Sequence, residues 1–233
     1  GPDEQDRLFA LAELSYLRAR RAKDSKYYFA SAFYAYLFLF PEDHSKDPTP
    51  YDPRLRLAMD IYNRAITNGL RNAKSTQIDL SPRPLTLPFG RLQLTGHPSG
   101  FVYEDYQLTS FTAVEDFEIH GFRNHYRKPG IGAALAAQAK SITQHSNGHW
   151  LSPQVKIPLT AFVRFDQPRQ SLKSGQIQAS IELYDVDVIP KINVDGRGVP
   201  LEFDPSAALA YRLEGSPLWD FEIAGFRRGD FDL

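Results

Sequence analysis

Residues 65–96 read AITNGLRNAKSTQIDLSPRPLTLPFGRLQLTG, and the rhythm of their apolar residues changes partway along. Up to Gly69 the apolar positions continue a spacing of three and four, the repeat of one helical face. From Thr76 onward they alternate, as in PLTLPFGRLQLTG, which is the repeat of one face of a strand. The change divides the chain into a helical domain over residues 1–75 and a mostly β domain over residues 76–233.

Upstream of the change, Leu8, Leu11, Ala12 and Leu14 mark a first helix from about Asp3 to Arg21. The next stretch, YYFASAFYAYLFLFP at residues 27–41, is apolar and aromatic nearly all round and stops at Pro41. It is shorter than the roughly twenty residues a membrane-spanning helix needs, so it is predicted as a helix buried between neighbours. A third helix is announced by Asp52 as N-cap with Pro53 at the first helical position; it runs through Leu57, Ile61, Tyr62 and Ile66 to a stop at Gly69. Together the three make a three-helix bundle or a short tetratricopeptide-like helical array. The aromatic stripe has two readings. Tyr27, Tyr28, Tyr34 and Tyr36 either pack in the core or line a helical groove that holds a peptide.

Downstream, FVYEDYQLTSFTAVEDFEIHGF, LTAFVRFD, GQIQASIELYDVDVI and KINVDGRGVPLEFD are strand-like runs separated by Pro, Gly and Asp. Asp195 and Gly196 tolerate the positive φ of a tight hairpin turn. Asp185 and Asp187 alternate with Val186 and Val188 as on a strand, and their spacing matches no twelve-residue calcium loop. The pattern predicts an α+β chain whose second part is a mostly antiparallel β-sandwich or barrel-like domain. One helical interruption is expected near residues 130–140, in PGIGAALAAQAK. Its paired glycines superficially resemble a phosphate-cradling loop, but a third glycine and a βαβ setting are missing. The alternative is that they permit close approach of the backbone to the sheet.

The chain of 233 residues carries 27 basic and 28 acidic side chains. No overall field draws it to nucleic acid or to an anionic membrane, and no nucleic acid is expected as a partner. It has no cysteine, which excludes disulfides, thiolate zinc sites and a cysteine nucleophile from this sequence. Gly1 and Pro2 read as an expression-tag scar, so a native signal segment is expected to have preceded them.

Catalytic motifs are sparse. GHPSG at residues 96–100 has the wrong spacing for a serine elbow. His145 and His149 are separated by Ser146, Asn147 and Gly148, which break a helix that would bring two imidazoles onto one face. No catalytic residue, metal site or cofactor is assigned. The densest polar run is Arg123, Asn124, His125, Tyr126, Arg127 and Lys128. Its guanidinium forks suit a carboxylate, a phosphate or an acidic partner, and its other reading is a solvated loop at a strand end. Just before this run DFEIHGFR occupies residues 116–123, and DFEIAGFR recurs at residues 220–227. The two octapeptides differ at one position while their flanks do not align, so they read as one local solution used twice.

Five segments, DRLFALAELSYL, YYFASAFYAYLFLFPE, YDPRLRLAMDIYNRAI, GFRNHYRKPGIGAALAA and PLWDFEIAGFRRGDF, resemble the front part of large bacterial α/β-hydrolase-fold proteins. Those proteins are esterase- or lipase-like and often envelope lipoproteins. The resemblance covers nearly the whole chain and is strongest in RNHYRKPGIGAALAA and its spacing to the closing GFRRGDF. In that family the closing segment leads into the hydrolase domain, with its oxyanion loop and serine elbow; neither motif is present here, so no catalytic residue carries over. The resemblance implies a non-catalytic N-terminal accessory region in the bacterial envelope, periplasmic or on an outer-membrane lipoprotein. It would contribute partner contact, localisation or substrate access. Its partner would be the C-terminal hydrolase domain or another protein, and the parent would be a serine esterase or lipase. The alternative is a freestanding protein- or peptide-interaction module with a helical groove on a β scaffold.

Overall fold

The computed structural model describes residues 3–72, 75, 77–96, 101–103, 106–116, 127–141 and 156–205. Helix α1 spans Glu4–Ala22, α2 spans Ser25–Leu39 and α3 spans Pro53–Leu70. Each is opened by an aspartate whose carboxylate accepts a backbone N–H of the first turn: Asp3, Asp24 and Asp52. Between α1 and α2 the chain needs only two residues. Lys23, in the left-handed region at φ 51°, donates its N–H to the Ala19 carbonyl, and Asp24 caps the next helix at once.

Helix α2 lies between α1 and α3 and also meets the sheet, which is why it shows no polar face. From Phe29 to Leu39 every residue but Tyr34 is buried. Small residues let α1 come close enough for the Ser31 hydroxyl to donate to the Ala12 carbonyl at 2.7 Å. Gly69 does not stop α3 as the sequence predicts. It sits inside the last turn, where a β-carbon would lie 3.2 Å from the Phe29 ring, and the helix runs on through Leu70.

The strands are β1 Gln77–Ile78, β2 Arg83–Leu87, β3 Gly90–Thr95, β4 Phe101–Tyr103, β5 Tyr106–Ala113, β6 Ala133–Ser141, β7 Lys156–Asp166, β8 Gln176–Tyr184, β9 Lys191–Val194 and β10 Arg197–Pro200, with a short helix α4 at Pro168–Ser174. The α+β class is as expected, but among the described residues the strands do not form two packed sheets. Eight make one sheet in the order β1-β5-β6-β7-β8-β3-β2, with β4 also on β5, while β9 and β10 form a separate hairpin. All neighbours are antiparallel except β3 and β8, which run parallel. That pairing begins where two glycines meet: a β-carbon at Gly90 would lie 2.4 Å from the Gly175 carbonyl oxygen, and Arg91 N–H donates to that oxygen at 2.8 Å.

Helices and sheet share one hydrophobic core. Its centre is aromatic: Tyr36 packs on Phe165 at 5.3 Å between centroids, Phe33 on the same ring at 5.2 Å, and Tyr62 on Phe162 at 5.8 Å. Such pairs add about 0.5–1.5 kcal/mol each beyond the area they bury. The change of rhythm near residue 75 thus marks the border between two layers around one core.

Two further expectations are corrected. The alanine-rich segment predicted as a helix near 130–140 is strand β6, hydrogen-bonded to β5 on one side and β7 on the other. Alanine's helix propensity is outweighed by pairing on both edges, and its small side chains let α3 lie against the strand. Asp185 and Asp187 lie beyond the end of β8, in a turn where Asp185 accepts from the Asp187 N–H at 2.9 Å. The hairpin turn at Asp195 and Gly196 is as expected, with φ 50° and 81°.

Candidate contact site around Arg127 and Glu202

At the start of β6 the chain arrives through a short loop, residues 127–132, that lies between α3 and residues 200–203. Two glycines allow this. A β-carbon at Gly130 would fall 2.2 Å from the Leu201 carbonyl carbon, and Gly132 has φ 113° with Thr160 packed against it. The close-approach reading of GxG is therefore the one the geometry follows. Two isolated bridges hold the loop: Lys128 N–H donates to Phe203 O at 2.7 Å and the Lys128 carbonyl accepts the Phe203 N–H at 3.1 Å, while Ile131 N–H donates to Pro200 O at 2.9 Å.

Side chains from α3 complete the attachment. Asn63, buried on α3, donates Nδ2 to Gly130 O at 2.9 Å and accepts the Gly132 N–H on Oδ1 at 2.7 Å. The preceding residue, Tyr62, reaches β7, donating its hydroxyl to Val163 O at 2.7 Å and accepting the Val163 N–H at 3.0 Å. Its oxygen stands in for the neighbouring strand that the loop denies to Val163. Burial pushes the Tyr62 hydroxyl well above the usual tyrosine range.

The ionic centre is Arg127. Its Nε donates to Glu202 Oε1 and its Nη2 to Asp60 Oδ1 at 2.7 Å, while Glu202 Oε2 accepts the Gly130 N–H at 2.9 Å. Glu202 is 5 % exposed. Burial pushes its carboxyl above the ordinary value, against the pull of Arg127 and the Gly130 N–H. Beside this cluster opens a cleft of about 410 Å³, rimmed by Arg64 and Thr67 of α3, Glu115, Arg127, Glu202 and Asp204. Thr67 spends its hydroxyl on Asn63 O at 2.8 Å. The arrangement offers mixed charge and a backbone fixed by hydrogen bonds. Among the described residues no group of three His, Cys, Asp or Glu is placed to hold a metal ion, and no helix is long and apolar enough to cross a membrane.

Of the basic run singled out in the sequence, Arg123, Asn124, His125 and Tyr126 lie outside the described residues, as do both DFEI segments beyond Asp116 and the histidine pair. Arg127 directs its fork at acids of its own chain, and Lys128 is exposed. The four groove tyrosines do not come together. Tyr36 is 1 % exposed within the core, Tyr34 packs on Phe89 at 5.0 Å, Tyr28 packs on Tyr16 at 5.8 Å, and Tyr27 lies under the Arg18 guanidinium at 4.9 Å. A continuous aromatic groove is thereby replaced by packing against four different neighbours. Asp60, Asn63 and Glu202 escape sequence reading. Glu202 alternates with Leu201 and Phe203 as an outward residue would, and nothing local announces that it is as buried as they are.

Comparison with protein-family models, with curated proteins and with solved structures finds no match.

Proposed function

We propose that this chain is a non-catalytic accessory region of a bacterial envelope α/β-hydrolase, esterase- or lipase-like, and that it contacts the catalytic domain through the face that carries the Arg127–Glu202 cleft. The observation that carries the reading is where the cleft sits. Its rim includes Glu115, Arg127 and Asp204, which flank or precede the two segments that hold DFEIHGFR and DFEIAGFR. The described chain therefore leaves this face after Glu115, returns to it at Arg127, and comes to it again at Asp204. The resemblance to the front part of hydrolases supports the identity of the partner. The internal pairing of Arg127, Glu202 and Asp60 supports a structural role for these charges; Arg64 and Glu115 at the rim, the latter held by Arg71 at 2.8 Å, would set the register of contact.

The test joins two measurements. The chain is expected to leave p-nitrophenyl butyrate unhydrolysed, while the longer native gene product hydrolyses it. A separately produced hydrolase domain is expected to bind the chain and to bind the Arg64→Glu, Glu115→Lys double variant at least about tenfold more weakly. Turnover by the chain alone, or equal affinity for the double variant, would overturn the proposal.

A further inference from the structure

Helix α1 carries two apolar stripes where one would serve the core. Leu8, Ala12 and Ala19 are buried, while Leu11, Leu14 and Leu17 are 41 %, 63 % and 48 % exposed. At 3.6 residues per turn, Arg7, Leu14 and Arg21 fall on one line along the outer face, with Leu11 and Arg18 on one side of it and Leu17 on the other. Each exposed leucine has an arginine four positions away: Arg7 for Leu11, Arg18 for Leu14 and Arg21 for Leu17.

The acids of the helix do not cancel this charge. Glu4 is held by Arg169 and Asp6 by Arg54 at 2.5 Å, which leaves Glu13 as the acid midway along α1. Arg20, Arg21 and Lys23 add positive charge at the C-terminal end. Attraction to the helix dipole accounts for cations in the last turn, but not for Arg7 or for the leucines. A protein-binding patch concentrates apolar residues and keeps charge to its rim. Here arginines are threaded among the leucines, and such long stems can lie along apolar surface while their heads reach phosphate; Arg18 would do so from its place over the Tyr27 ring, 4.9 Å from its centroid.

We propose that the outer face of α1 docks on an anionic lipid surface, with Leu11, Leu14 and Leu17 entering the acyl boundary and Arg7, Arg18 and Arg21 meeting lipid phosphates. The inference stands apart from the hydrolase reading, since neither the cleft nor a catalytic domain enters it.

The test is co-sedimentation of the full 233-residue chain with vesicles of phosphatidylcholine alone and of phosphatidylcholine mixed with phosphatidylglycerol. The chain is expected to bind the mixed vesicles, to bind phosphatidylcholine weakly, and to lose binding as salt rises. Leu14→Gln with Leu17→Gln, and separately Arg7→Gln with Arg21→Gln, are each expected to weaken binding at least about tenfold. Their thermal unfolding should stay that of the parent, because these side chains are exposed. Failure of the folded chain to bind anionic vesicles at low salt would overturn the proposal. So would undiminished binding by either double variant, or a Leu14-dependent self-association that assigns the face to a second copy.

Discussion

Glu202 is a carboxylate in a place that disfavours its charge, and its neighbours decide how it behaves. Burial raises its proton affinity, Arg127 and the Gly130 N–H oppose that, and Asp60 across the guanidinium adds to it. A glutamate whose folded value lies above its unfolded value of about 4.3 binds more protons folded than unfolded between those two values. Its contribution to stability is therefore full below the unfolded value and is lost as pH rises through the folded one. Relative to a Glu202→Gln variant, which does not titrate there, the parent should gain stability as pH falls from neutral toward about 4.3. Urea unfolding of both proteins across that range checks this; a difference that stays flat, or that grows with rising pH, would contradict it. None of this is legible in the sequence. LEFD reads as an alternating strand whose glutamate faces water, and only α3 laid across the loop makes that face an interior one.

At the scale of elements, the helices announce themselves and the loop before β6 does not. Aspartates at the caps and Pro53 at a first turn are local chemistry, satisfied by backbone groups within a few residues, so their positions follow from spacing alone. Residues 130–141 offer no comparable signal, since alanines favour a helix and only pairing with β5 and β7 makes them a strand. The glycines do carry information, though of a different kind from a nucleotide motif. At Gly130 the limit is space, whereas at Gly196, with φ 81° and nothing within 4 Å, it is backbone conformation alone. Gly196→Ala is thus expected to cost roughly 1–2 kcal/mol, the price of a left-handed alanine. Gly130→Ala collides with the Leu201 backbone and is expected to cost more than about 4 kcal/mol or to abolish folding. Chemical denaturation of the two variants side by side separates the cases. Equal midpoints would show that the loop yields easily and that its attachment to residues 200–203 is weaker than its hydrogen bonds imply.

Taken whole, the molecule is less divisible than its sequence. The rhythm change near residue 75 is sharp, yet Phe33 and Tyr36 of α2 pack on Phe165 of β7, and Tyr62 and Asn63 of α3 complete the hydrogen bonding of β7 and the loop before β6. Removing residues 1–75 would uncover those rings and leave Val163 and Gly130 without their partners. A fragment of residues 76–233 is expected to lack a cooperative thermal transition, while the full chain shows one that coincides by far-ultraviolet and near-ultraviolet circular dichroism. A cooperative melt by the fragment would show two separable domains instead. Periodicity records which face of an element is apolar; it does not record what covers that face, which is why the two layers read as two domains.

The parallel pairing of β3 with β8 joins Arg91 to Gln176. During synthesis the helices and the β2–β3 hairpin leave the ribosome long before β8 exists to receive them. Until then Leu92 and Leu94, buried in the finished sheet, have no strand on their far side, and the hairpin is a free edge for other chains. Closing a connection of this length is slow compared with forming a hairpin. The nascent chain is thus exposed to aggregation between the synthesis of β3 and that of β8, and a chaperone that shields residues 83–95 over that interval would raise the yield of folded protein.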